Sequence, residues 1–112
     1  MLNKLKIEVM EILVNMVEMN ESTIEKEIKN ILNYGCQSGI VGDLLYYYQT
    51  EAFFNRHKNA INEIAHELSN DIYGNPYEIY KNLNGECNKN NMAWFGFEEI
   101  VRRTAEEYGI EY

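Results

Sequence analysis

The sequence predicts an all-α fold, a single helical domain over residues 1–112 built as a compact bundle of five to six short helices. Three observations predict it. Apolar residues recur every three to four positions in most segments. No alternating strand pattern persists beyond a few residues. The chain has 112 residues and is 46% hydrophobic, enough for one buried core but too short for two domains.

Leu2 to Met19 reads as the first helix, with Leu5, Val9, Ile12, Leu13 and Met16 on one face. Met10, Val14 and Val17 widen that face, which makes this helix central or a homodimer contact. Ser22-Thr-Ile-Glu25 has the spacing of a capping box, with Ser22 as acceptor and Glu25 reaching back. It opens a second helix with Ile24, Ile28, Ile31 and Leu32 inward. Gly35 is placed to stop it, because glycine adopts the left-handed conformation cheaply.

Ser38 caps an expected third helix through Ile40, Val41, Leu44 and Leu45 to Tyr46, Tyr47 and Tyr48. Thr50 to Phe54 continues it or forms a short separate turn. A fourth helix is expected over Ala60 to Tyr73, with Ile61, Ile64, Ala65, Leu68 and Ile72 on one stripe and Gly74 as its stop. Asn75 and Pro76 then start a short helix to Leu83. Asn84 to Asn91 reads as a polar loop. The last helix is expected over Met92 to Tyr108, with Ala93, Phe97, Ile100, Val101, Thr104 and Tyr108 on one side and Gly109 as its end.

Charge bounds the function. Eighteen acids against ten bases leave a formal charge of −8. That opposes direct binding to a nucleic-acid backbone or an anionic membrane, both of which need clustered Lys and Arg. It suits solubility and a partner with a basic surface. Glu8, Glu11 and Glu18 break the first apolar stretch, so no signal peptide or membrane span is predicted. Cys36 and Cys87 lack the company of a zinc site. The expected compartment is the reducing host-cell cytosol, with both thiols free.

Candidate chemistry is thin. Glu63-Ile-Ala-His66 has the spacing of a carboxylate–histidine metal half-site, but no second half is evident and His66 lies off the apolar stripe. Cys36 with His57 or His66 has the residue types of a thiolate–imidazole pair; a buried structural cysteine is the plainer reading. Gly39-Ile-Val-Gly42 lacks the lysine of a phosphate loop and reads as close helix packing. No metal, cofactor or catalytic residue is therefore expected, and the protein is read as a non-enzyme. Tyr46, Tyr47 and Tyr48 point in three directions of a helix, so at least one ring faces out, as interface tyrosines do. Glu98, Glu99, Glu106, Glu107 and Glu111 make the last helix acidic, and Glu99 has Arg102 and Arg103 within one turn.

Two segments together resemble a family of small uncharacterised proteins carried by bacteriophages and other mobile elements. One is Gly35-Cys-Gln-Ser-Gly-Ile-Val-Gly-Asp-Leu-Leu-Tyr-Tyr47, followed by Thr50, Phe53, Phe54, His57 and Glu63. The other is Ala93-Trp-Phe-Gly-Phe-Glu-Glu99, followed by Ala105, Gly109 and Ile110. The resemblance covers roughly the C-terminal two thirds of the chain and leaves the first helix outside. It implies no catalytic residues. It implies a phage-type protein that binds host machinery, and joined to the charge it gives the leading expectation. That expectation is stoichiometric inhibition of a host nucleic-acid-handling defence enzyme with a basic groove, of CRISPR or restriction type. The contact residues would be Tyr46, Tyr47, Tyr48, Glu98, Glu99, Glu106 and Glu107. The alternatives are a structural or regulatory module of a phage operon, dimeric through the first helix, and a small-ligand protein or enzyme using Cys36.

Overall fold

The computed structural model describes residues 2–34, 50–68 and 89–112. Within them lie four helices: α1 (Leu2–Asn20), α2 (Ile24–Tyr34), α3 (Thr50–Leu68) and α4 (Lys89–Glu107). No strand occurs among the described residues, so the all-α expectation stands. The helices expected over Ser38 to Tyr48 and Pro76 to Leu83 lie outside the described residues, as do the stops at Gly35 and Gly74.

α1 buries Leu5, Val9, Leu13 and Met16, a 4-4-3 spacing that keeps one stripe inward. Ile12 is half-buried at its edge. α2 contributes Ile28 and Ile31. α4 has the most interior position and touches all three other helices, most extensively α3. Its residues Ala93, Trp94, Phe95, Gly96 and Phe97 are all buried. Five consecutive buried positions leave no polar face, which is how a helix reads when neighbours surround it. Gly96 lets α3 approach: a Cβ there would come within 2.6 Å of Ile61 Cγ1.

The sequence reading needs three corrections. First, α3 is helical from Thr50 to Leu68 but consists of two stretches joined at a kink at His57. Thr50 to Phe54 thus belongs to a helical stretch and not to a short turn, and the helix expected from Ala60 begins just after the kink. The run Asn55-Arg-His-Lys-Asn59 looks like a break because it is polar. Yet His57 follows Phe53 by four residues and Phe54 by three, and it precedes Ala60 and Ile61 by the same intervals. It supplies the missing inward position, and it is buried. The helix pays for this with a kink, since His57 has φ −118° and ψ 15°, outside the helical basin.

Second, α4 begins at Lys89 and not at Met92, so the expected loop ends three residues earlier. It closes at Glu107, one residue before the predicted Tyr108, and the expected stop follows. Gly109 has φ +68°; its amide donates to the Glu106 carbonyl at 3.2 Å and the Ile110 amide to that of Ala105 at 2.8 Å. These are the paired bonds of a Schellman motif, and Ile110 packs back on the core.

Third, the cap of α2 is Thr23, whose Oγ1 accepts the Lys26 amide at 3.2 Å. Ser22 Oγ instead donates to Glu27 Oε1 at 2.5 Å, and Asn20 Nδ2 donates to the same oxygen at 3.0 Å. Glu25 pairs along the surface with Lys29 at 3.2 Å. The box fails because α1 ends with its own left-handed turn. Glu21 has φ 49°, and the Ser22 amide donates to the Val17 carbonyl at 3.1 Å. That bond commits Ser22 to closing α1.

The described residues hold four of the five to six helices expected for the whole chain. The two further expected helices, Ser38 to Tyr48 and Pro76 to Leu83, fall outside the described residues.

Candidate functional site

Three groupings on this frame carry polar or exposed character that core packing does not explain. The first joins α1 to α3. Glu8 receives hydrogen bonds from His57 Nε2 and from Arg56, whose Nη2 reaches Oε1 while Nε lies 3.3 Å from Oε2. Burial opposes the charge on Glu8, but the bonds and charges of Arg56 and His57 outweigh it and hold the carboxyl below its ordinary value. The His57 ring also meets Phe53 edge-on, with centroids 4.9 Å apart. The imidazole is thus fixed on two sides and buried, an arrangement that braces two helices.

The second grouping is the acidic end of α4. Glu99 is turned inward and has both arginines that the sequence placed within a turn. Arg102 Nη1 lies 2.6 Å from Glu99 Oε2 and Arg103 Nε 3.6 Å from Oε1. Arg103 also reaches across to Glu67 on α3 at 3.0 Å. Burial would lower the affinity of Arg102 for its proton; Glu99 and Tyr112 outweigh it and raise that affinity above the ordinary arginine value. Glu98 is half-buried. The acids facing solvent are therefore Glu106, Glu107 and Glu111, interleaved with the exposed rings of Tyr108 and Tyr112. No basic side chain occupies the last turn of α4.

The third is the outer face of α1. Lys6, Ile7, Met10, Glu11, Val14 and Asn15 line a shallow groove there. Ile7 is 60% and Val14 45% exposed, high for branched apolar side chains on a helix that already has a buried face.

The sequence candidates fall unevenly on this map. Tyr46, Tyr47, Tyr48, Cys36, Gly39 and Gly42 lie outside the described residues. Glu63 and His66 are both exposed. Among the described residues no group of three or more His, Cys, Asp or Glu could hold a metal ion, and no helix is long and apolar enough to cross a membrane. Sequence reasoning missed the Glu8–His57 pair. The available signal was the helical register of His57 with Phe53 and Ile61.

A family model, "Domain of unknown function (DUF7222)", matches residues 4–110. The chain belongs to the DUF7222 family. The match takes in nearly all of α1, which the earlier resemblance left outside, so the first helix is an integral part of the DUF7222 domain. No curated protein and no solved structure matches the chain. The DUF7222 assignment fixes kinship over almost the whole chain, and the groupings above supply the chemistry from which a role is argued.

Proposed function

We propose that this protein is a phage-type stoichiometric inhibitor. In this reading it docks on a host nucleic-acid-handling defence enzyme, of CRISPR or restriction type, and fills a basic groove meant for a nucleic acid. The observation that carries the reading is the division of charge on α4. Arg102 and Arg103 are drawn toward Glu99 and Glu67, while Glu106, Glu107 and Glu111 face solvent beside Tyr108 and Tyr112. Acids in the last turn of a helix oppose its dipole at a cost of about 0.3–1 kcal/mol each, so this placement favours a role outside stability. Carboxylates give steering toward a basic groove, and tyrosine rings give contact area with little loss of side-chain freedom. Tyr46, Tyr47 and Tyr48 extend the proposed contact set and Glu98 stands at its margin, whereas Glu99, buried against Arg102 and Arg103, is withdrawn from it.

The test is a pull-down with the tagged protein from a bacterial lysate carrying CRISPR and restriction systems, washed at low and high salt. One nucleic-acid-handling enzyme should be retained at low salt and released at high salt, since exposed charges lose their reach as the screening length shrinks from about 10 Å at 0.1 M to 3 Å at 1 M. The triple variant Glu106→Gln, Glu107→Gln, Glu111→Gln should retain much less of it. A complex indifferent to both salt and these substitutions would end the acidic-decoy reading.

A further inference from the structure

We propose that the outer face of α1 is a dimer interface that seats a second copy of this chain, with the two α1 helices parallel about a two-fold axis. This surface is separate from the acidic end of α4 and does not depend on that reading.

The spacing comes first. Ile7, Met10, Val14 and Val17 recur at intervals of three, four and three, the a/d pattern of a helix seam. Ile7 and Val14 are largely exposed, and Met10 and Val17 are half-buried. The buried set Leu5, Val9, Leu13 and Met16 lies about a third of a turn away around the same helix. One helix thus carries two apolar stripes; among the described residues the core covers the first and touches the second through Met10. Two copies joined through the outer stripe would place their cores on opposite sides of the seam, free of collision.

Charge identifies the occupant. With Ile7 and Val14 at a positions, Lys6 falls at g and Glu11 at e, flanking the stripe on opposite sides. Both line the groove. In a parallel two-fold pair a g residue meets the following e residue of the other helix. Lys6 would meet Glu11 of the second copy, and symmetry makes that ion pair twice. In an antiparallel pair e residues meet each other, which sets Glu11 against Glu18 of the second copy, a repulsion also made twice. The parallel orientation thus satisfies both charges that line the groove. At its C-terminal end, Glu21 occupies the next a position, where the helix has already turned out through its positive φ, so the seam closes after Val17.

Two heptads are too short to associate as free peptides. Here each helix is already ordered by its own core, so the ordering cost is met before the copies meet. Four apolar layers make an interface below the roughly 1,200 Å² of stable complexes, and the dimer should dissociate in the micromolar range.

Sedimentation equilibrium over a hundredfold concentration range tests this, with circular dichroism on each variant to show that it folds. The parent chain should pass from monomer to dimer. Val14→Glu, at a position already 45% exposed, should leave the helical signal intact and hold the chain monomeric throughout. Glu11→Lys should weaken dimerisation at least tenfold, as should Lys6→Glu, and the double exchange should restore it. A monomer at every concentration would overturn the proposal and leave the stripe to a different protein. A dimer unaffected by Val14→Glu would place the interface elsewhere. A dimer tightened by Glu11→Lys would overturn the parallel arrangement, because only the antiparallel one gains from a lysine opposite Glu18.

Discussion

Glu8 of α1 accepts the Nε2–H hydrogen bond of His57 of α3 across 49 residues of sequence, with Arg56 on the same carboxylate. The pair ties two helices where α3 is kinked. Its carboxyl keeps its charge below the pH at which glutamate ordinarily protonates. A group with a depressed folded pKa stabilises the fold above its ordinary value and loses that contribution as pH falls through the folded value. The stabilisation from Glu8 is thus whole at neutral pH and is lost as pH drops below about 4.5. Glu8→Gln should lower stability at pH 7 by about 1 kcal/mol, a figure reduced because Arg56 is half exposed. Its deficit against the parent should shrink on acidification. Urea unfolding at pH 7, 5 and 3.5 measures this, and a deficit constant across that range would show that Glu8 has no linked proton.

Gly96 on α4 faces Ile61 on α3 at a separation that admits no Cβ. Alanine is the better helix former by about 1 kcal/mol, so an unpacked site would gain from Gly96→Ala. Here the clash is with the branched, fully buried stem of Ile61, and overpacking costs about 1–3 kcal/mol. Gly96→Ala should lower the melting temperature. Combined with Ile61→Ala it should cost less than the two single changes summed, as expected of residues in contact. Strict additivity in thermal melts would contradict the close approach.

Glu21 holds a left-handed conformation that costs a residue with a Cβ about 1–2 kcal/mol. Glu21→Gly should stabilise the fold by roughly 0.5–1 kcal/mol after the greater freedom of glycine in the unfolded chain is counted. Chemical denaturation should show a higher midpoint with an unchanged slope. A lower midpoint would mean that the Glu21 side chain contributes more than its backbone costs.

Glu25 and Glu27 stand two residues apart in α2 and should respond differently. Glu25 makes one exposed pair with Lys29, worth about 0.3–0.5 kcal/mol. Glu27 is buried and accepts from both Asn20 and Ser22, and its loss removes two hydrogen bonds worth about 0.5–1.5 kcal/mol each. Glu27→Ala should therefore destabilise severalfold more than Glu25→Ala in the same denaturation assay. The reverse order would restore the capping-box reading of Ser22 and Glu25.

The sequence by itself determined what depends on neighbours along the chain. The inward stripes of α1 and α2 follow from 3.6-residue periodicity. The stop at Gly109 follows from glycine's freedom at positive φ. The pairing of Glu99 with Arg102 and Arg103 follows from i,i+3 and i,i+4 spacing, and all of these are found. The width of the apolar surface of α1 was legible too, because Met10 and Val14 exceed what one buried face needs. Only the tertiary structure decided that Glu8 meets His57, that Ile61 fills the space over Gly96, that Glu27 turns inward, and that helix lies on both sides of the kink at His57. The reason is that periodicity tells each residue which way it points but not which residue on another helix will stand opposite. His57 reads as a polar interruption until Glu8 is placed beside it, and only then can its burial be reconciled with its chemistry.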